Sequence, residues 1–478
     1  MMVPLAERMF QDYAAKNNFP AIAYGIVADQ KLIFAGAKGA INLKSKTQAT
    51  TKSLFRIASM TKSFTAMAIL KLRDEGRLQL SDPVSKHIVE MKEIVYLTED
   101  SPEITILNLL TMSAGFPEDN PWGDRQLADT PEELISFIKG GITFSNSPSK
   151  EFEYSNMGYA MLGRIISTVS GTSYQQYITD NILKPLGMDD TRWEYADVDP
   201  SLLAIGYRFE GGEWIEEALL HDGIYGAMGG LITSIEDFSK YVSLHLSASP
   251  PRNGRDEGPL RRSSLREMHK PWQFRSLEVN PGAQDDNPCP TTAGYGYGLG
   301  WRKDCLGRER VSHSGGLPGF GSDFRFYPEY GIGIICFANL TYAPAGDVNA
   351  RIIDTLIMKT GLKPRSIQIS DTLQVRKDQI IKLLTSWDQP LEKKILAENF
   401  YLDRAREQWI KKAAEIFEGT GHITNVEGIV PFNELRGRFI MHGERQDAVV
   451  FFTLTPERSP KVQQLELYLE PKAELKTP

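Results

Sequence analysis

Apolar residues recur along the chain with two periods, and these separate helices from strands. Residues 4–17 carry a helical pattern. Residues 21–29 (AIAYGIVAD) and 31–38 (KLIFAGAK) are β-rich runs joined by a short polar turn, which predicts a hairpin. Over residues 59–76, Phe64, Met67, Ala68 and Leu72 recur at the helical period, and Gly76 is placed to end the helix. Further helices are expected at 105–113, 131–139 and 156–170, the last closed by Gly171. Residues 248–293 are rich in Pro, Gly and charge and read mostly as loop around a short helix near 263–269. Four β-rich runs follow at 294–302, 309–314, 321–327 and 331–339, and a spacing of about ten residues predicts an antiparallel meander. A helix at about 348–360 ends at Gly361 and Pro364.

An N-terminal helix and hairpin, a large helical insert, then a meander and a helix imply one discontinuous α/β domain over residues 1–362. Its sheet is expected to be antiparallel and built from both ends. Residues 363–374 read as a linker. Beyond them, helical patterns at 375–386, 390–399 and 404–418 precede strand patterns at 423–430, 434–442, 447–455 and 462–470. Helices followed by a four-strand meander predict a small α+β domain over 375–478.

Composition narrows the function. The 478 residues carry 54 basic and 61 acidic side chains, a net charge of −7, which argues against sequence-independent nucleic-acid binding. The most apolar run, Gly331 to Leu340, is far shorter than the ~18 residues that cross a bilayer, so no membrane span is expected. The N-terminus has no basic stretch followed by an apolar one, so no signal peptide is visible. Three cysteines cannot form a disulfide framework. Cys336 reads as a core thiol, whereas Cys289 and Cys305 flank a strand and could pair in an exported chain. The seven histidines are scattered, with no HExxH, no paired CxxC and no P-loop, so neither a metal nor a cofactor is expected.

Nucleophilic chemistry has a better footing. No GxSxG elbow occurs, but SxxK occurs three times. Ser136–Lys139 lies within an ordinary helix and Ser147–Lys150 in a Pro-containing loop. Ser59 to Lys62 instead opens a strongly apolar helix, where positions i and i+3 share a face and an amine one turn away could take the hydroxyl proton. Alone, the tetrapeptide reads first as a helix cap with a solvated lysine. Two further elements change that. Tyr154-Ser155-Asn156 precedes the helix at 156–170, so that a phenol and an amide can point into one cleft. His313-Ser314-Gly315-Gly316 lies on a short strand, where a glycine pair lets a substrate approach the backbone.

In this order, with FRIASMTKSFTAMAIL, ITILNLLTMSAG, YSNMGYAMLGRIIS, LKPLGMDDT, GAMGGLITSIEDFSKY, YGYGLGW and HSGGLPGF, residues 5–362 resemble the serine β-lactamase and penicillin-binding-protein superfamily. The likeness is to its β-lactamase-related branch of esterases and D-amino-acid-specific peptidases. It implies a β-lactamase-like antiparallel sheet flanked by helices with an all-helical insert, an α/β (α+β) fold. It also implies a serine hydrolase working through an acyl-enzyme, with Ser59 as nucleophile, Lys62 as base and Tyr154 as proton carrier. Asn156, His313, Ser314 and Gly315 would bind substrate, and the backbone N–H groups of Ser59 and Gly316 would form the oxyanion hole. Relatives are commonly exported, which implies a periplasmic or secreted location.

The chain departs from the β-lactamase pattern where the third motif begins with His313 instead of lysine. A neutral histidine supplies hydrogen bonding but no fixed charge for a substrate carboxylate. Esters, amides or peptides, including D-amino-acid ones, are therefore expected ahead of β-lactams. A penicillin-recognition fold kept as a silent binding or sensor protein is the alternative. The Trp and Tyr residues at 295–301 read as sheet core, and His221 and Asp222 either line the cleft or sit in a surface loop. The C-terminal module resembles cystatin-like or nuclear-transport-factor-like folds and is a candidate for self-association.

Overall fold

The computed structural model describes residues 2–279, 289–365 and 367–471. The chain forms two compact units, Met1–Pro364 and Arg365–Pro478. The first is organised by a nine-stranded antiparallel sheet. Its strands are β1 (Ala21–Ala28), β2 (Lys31–Asn42), β3 (Thr47–Gln48), β4 (Gln273–Glu278), β5 (Thr291–Tyr295), β6 (Gly300–Lys303), β7 (Glu309–Leu317), β8 (Phe320–Tyr327) and β9 (Ile332–Ala338). Their order is β3-β2-β1-β9-β8-β7-β6-β5-β4, so both ends of the sequence build one sheet, as expected.

Alternation along the central strands makes the layers. In β1, Ile22, Tyr24 and Ile26 face α1 (Met2–Lys16) and a late helix, Ala345–Thr360, which supply Ala6, Phe10, Val348 and Ile352 to the same cluster. Ala21, Ala23 and Val27 face the opposite way, into the main core. In β9, Ile334 and Cys336 belong to the first cluster, and Ile335 and Phe337 to the second. The second face carries α4 (Ile235–Ser247), and α2 (Lys62–Asp74) and α3 (Asn156–Ser170) pack against each other in the same core. No helix among the described residues is long and apolar enough to cross a membrane.

Four expectations need correction. The loop read over 248–293 contains the edge strand β4, whose pairing with β5 shifts between Phe274 and Ser276. That bulge breaks the two-residue alternation by which a strand is recognised. Within that stretch, residues 280–288 lie outside the described residues. The single strand read over 294–302 is a hairpin, β5 turning into β6 through Gly296–Leu299. The turn presses on α2: a Cβ on Gly298, whose φ is +67°, would sit 2.7 Å from the Lys62 carbonyl oxygen. Only glycine accommodates both that φ and that approach. A disulfide joins Cys289, just before β5, to Cys305, just after β6, and Cys336 is a buried thiol.

The linker read over 363–374 ends early, because Asp371 to Gln374 already form the first turn of a helix, Asp371–Ser386. Two more helices, Gln389–Ile395 and Arg406–Thr420, complete the helical part of the second unit. Its four-strand meander has five strands. Ile423–Val426 and Val430–Asn433 both pair with Arg436–Gly443, one against each half. Gly428 and Pro431 interrupt what would otherwise be one strand.

A buried histidine pair makes the first unit sensitive to acid. His245, on α4, and His269 are both buried, with their ring nitrogens 2.8 Å apart. Burial pushes His245 well below the ordinary histidine range and His269 down to about 3. Both are neutral when folded and take up protons when unfolded below about pH 6.5. Stability is therefore lost as pH falls, by up to about 1.4 kcal/mol per pH unit for each histidine. Asp124 and Asp222, raised by burial to about 6, oppose this more weakly, because they take up protons in the folded state first. The unit is expected to lose roughly 1–3 kcal/mol between pH 7.5 and 5.5, read as a lower Tm. A Tm that rises over that interval would contradict the assignment.

Candidate active site

Ser59 sits on a clamped turn. Phe55 and Arg56 pair with Thr233 and Ile232. The Ile57 N–H donates to Leu231 O at 2.9 Å, and Ser322 Oγ donates to Ile57 O at 2.7 Å. Between these anchors Ala58 adopts φ +51°, a left-handed conformation that costs a non-glycine residue about 1–2 kcal/mol. A 3₁₀ turn, Ala58–Thr61, then leads into α2, which starts at Lys62 rather than at residue 59 as the pattern suggested. In a 3₁₀ turn residues i and i+3 eclipse. Lys62 Nζ accordingly lies 3.0 Å from Ser59 Oγ.

Lys62 is fully buried. Its Nζ also meets Asn156 Oδ1 at 2.6 Å and the Met228 carbonyl at 3.0 Å. Burial lowers its pKa to about 7, against the pull of Asp124, Asp119 and Glu118. The Tyr154 ring is centred 4.8 Å from Nζ. Burial raises this phenol well above its ordinary value, Tyr295 adds to the rise, and a side-chain hydrogen bond with Ser59 opposes it.

Tyr154 and Asn156 are held at the start of α3. Ser155 caps the helix by accepting from the Gly158 N–H at 3.2 Å. Buried Asp119 accepts from the N–H groups of Asn156 and Met157 at 2.6 and 2.9 Å, and from Ser155 Oγ at 3.3 Å. A carboxylate on the unsatisfied N–H groups of a helix start is favourable in both charge and hydrogen bonding. Ser59, Lys62, Tyr154 and Asn156 are thus gathered in one place.

The third motif lies along β7. β6 covers only Glu309 to Ser312 of this strand, so 313–317 present an open edge on that side. His313 is buried, with Nδ1 2.6 Å from Ser314 O and Nε2 3.1 Å from the Tyr295 hydroxyl. Burial and the Lys62 charge lower its pKa to about 3, so it is neutral. Nδ1 then carries the proton and Tyr295 donates to Nε2. Both ring nitrogens are engaged within the protein, which modifies the expectation that His313 offers a hydrogen bond to substrate. Ser314 also differs from that reading, because its Oγ donates to Asp323 Oδ2 at 2.7 Å. Asp323 in turn holds Arg325 and Asn349.

Gly315 packs directly on the nucleophile's turn. A Cβ there would lie 2.2 Å from Ile57 O and 3.0 Å from Ala58 Cβ. Gly315→Ala is expected to cost about 1–3 kcal/mol through overpacking. By displacing Ser59 it should also lower kcat/KM up to roughly a hundredfold. Thermal melts and hydrolysis of a chromogenic ester would check this. Unchanged activity would mean that β7 and the turn are not rigidly coupled.

Several participants are not legible in the sequence. The Met228 carbonyl is backbone, placed by the Gly226–Gly229 turn. Asp119 and Asp124 lie in PEDNPWGD, which has the texture of an ordinary polar loop. Tyr295 is buried, as core was expected to be, yet also bonds His313. His221 is exposed and lies 2.9 Å from Glu194. Half-buried Asp222 sits under Gly226 and Gly230, too close for a Cβ on either, so it packs under the Met228 turn. Among the described residues no group of three or more His, Cys, Asp or Glu is placed to hold a metal ion.

Comparison with known proteins bears on the family and the fold. A family model described as Beta-lactamase matches residues 6–357. Protein flp of Staphylococcus aureus (strain MW2) is 30% identical over 372 residues, 76% of this chain and 68% of that protein. Among solved structures, the octameric penicillin-binding protein homologue from Pyrococcus abyssi shares the fold with a TM-score of 0.63, at 24% identity, covering 98% of this chain and 95% of that one. A class C beta-lactamase does so with a TM-score of 0.58, at 18% identity, covering 74% and 96%.

Proposed function

The chain belongs to the Beta-lactamase family, and from that premise we propose that it is a serine hydrolase working through an acyl-Ser59 intermediate. The observation that carries the reading is a buried lysine with a pKa near 7, 3.0 Å from the Ser59 hydroxyl. A general base works best when its pKa lies near the working pH.

In this reading neutral Lys62 takes the Ser59 proton as Oγ attacks the acyl carbon. The N–H groups of Ser59 and Gly316 receive the developing oxyanion, each such donor contributing about 3–4 kcal/mol. The bond to the leaving alcohol or amine breaks, and that group takes a proton passed through Tyr154. Water then splits the acyl-serine, releasing the acid and restoring the Ser59 hydroxyl. Asn156 orients Lys62, which supports a positioning role for it. Neutral His313 gives no cation for a substrate carboxylate, which favours esters, amides or peptides over β-lactams.

A panel of esters, D- and L-amino-acid amides and β-lactams, with Ser59→Ala as control, tests the reading. Binding without turnover across that panel would favour a silent binding protein. A β-lactam cleaved as fast as the best ester would overturn the inference from His313. Self-association through the second unit is likewise proposed, and the octameric state described for the Pyrococcus abyssi homologue is compatible with it.

A further inference from the structure

The cleft is electrically lopsided. His313 and Gly316 stand three residues apart on β7, about 10 Å at the rise of an extended strand. At the His313 end are Tyr154, its ring centred 6.3 Å from that of His313, and the exposed Arg275, stacked 5.2 Å over Phe152. At the Gly316 end the character is acidic. The ring of Tyr342 lies against Gly316, 2.7 Å from where a Cβ would be, and its hydroxyl donates to Asp124 Oδ2 at 2.9 Å.

Asp124 is 2% exposed, and its Oδ1 has no hydrogen-bond partner among the described residues. A carboxylate oxygen buried without a partner is costly. It lies beside the site: its neighbour Gly123 packs on Asn156, and its charge acts on both Lys62 and Tyr154. Asp119 and Glu118 act on Lys62 with the same sign. Tyr342 covers Asp124 from the surface, with its backbone N–H held by Phe320 O at 3.1 Å. Tyr342 is 48% exposed, and its φ of +49° is strained for a residue with a side chain.

We propose that Asp124 is an anchor for a protonated amine on the acyl side of the scissile bond, and that Tyr342 is the cover such a substrate displaces. The substrate class is then α-amino acyl amides and esters, including peptides with a free N-terminus. The acyl side is assigned because Tyr154 protonates the leaving group at the His313 end, so the acyl group extends toward Gly316. This rests on the serine-hydrolase reading and deepens it. An ammonium group would give Oδ1 its missing donor, and a charge-assisted hydrogen bond in such a site is strong enough to dominate selection.

The test compares alanine p-nitroanilides with a free and an acetylated amine, in D and L forms, with p-nitrophenyl acetate as an uncharged reference. In the wild type the free-amine form of the better enantiomer should exceed its acetylated partner in kcat/KM by roughly tenfold or more. In Asp124→Asn that ratio should fall to about one, and in Tyr342→Phe, which leaves Asp124 charged, it should hold or rise. With wild-type protein alone, butylamine should inhibit p-nitrophenyl acetate turnover competitively and butyrate should not. An equal or reversed amine preference in the wild type, an unchanged ratio in Asp124→Asn, or stronger inhibition by butyrate would overturn the anchor. If Ser59-dependent turnover of p-nitrophenyl acetate persists without amine preference, only the anchor falls. If no substrate shows Ser59-dependent turnover, the hydrolase reading falls with it.

Discussion

Ser59→Ala is expected to abolish labelling by a fluorophosphonate probe and to lower kcat by roughly 10⁴- to 10⁶-fold, the range seen when a nucleophile is removed from a preorganised acyl-transfer site. The fold should survive. The turn is held by the backbone pairing of Ile57 with Leu231 and by Ser322 on Ile57 O, neither of which involves the Ser59 side chain. Lys62 keeps its contacts with Asn156 and Met228. The oxyanion donors proposed here are backbone groups and persist in the variant, so substrate binding should weaken far less than turnover. Active-site labelling followed by peptide mapping, together with single-turnover kinetics, separates the two. A variant that is still labelled or still turns over would transfer the chemistry to another residue.

The elements that a sequence pattern can show are those whose periodicity survives in the folded chain. α3 spans Asn156–Ser170, the range its apolar spacing gave, and ends at Gly171 with φ +79°. β1 and β9 were visible because they are buried on both faces and read as continuous apolar runs. β4 was not, because a bulge disrupts its alternation and both Phe274 and Leu277 are exposed. The same divide runs through the site. Ser59 and Lys62 stood out only once the SxxK spacing was joined to the ordered motifs of the resemblance, and Tyr154 and Asn156 as part of that same set. Asp119 and Asp124 did not. A carboxylate in a polar loop acquires its character only when tertiary packing buries it beside a lysine, and single-sequence periodicity carries no record of that packing. Nor could the third motif have shown that both nitrogens of His313 would be engaged, since Tyr295 reaches it from a neighbouring part of the sheet.

Lys62→Met should lower kcat by roughly 10²- to 10⁴-fold, the usual worth of a general base. The wild-type pH profile should locate the group removed. Nζ must be neutral to accept the proton, and its pKa is about 7. Below pH 7 kcat/KM should therefore fall about tenfold per unit, with a plateau above it, whereas the residual activity of the variant should lack that limb. Stability should move differently. The folded protein holds this proton less tightly than an unfolded lysine with a pKa of 10.5, so unfolding takes one up between pH 7 and 10.5. Below about 7 the buried amine thus costs the fold roughly 4–5 kcal/mol. Methionine removes that cost but leaves Asn156 Oδ1 and Met228 O without their donor, at about 1–3 kcal/mol each. The two effects nearly offset, so the variant should melt within a few degrees of the wild type at pH 7 while losing most of its activity. A variant that melts far lower would show Lys62 to be a structural residue, with the acid limb arising elsewhere.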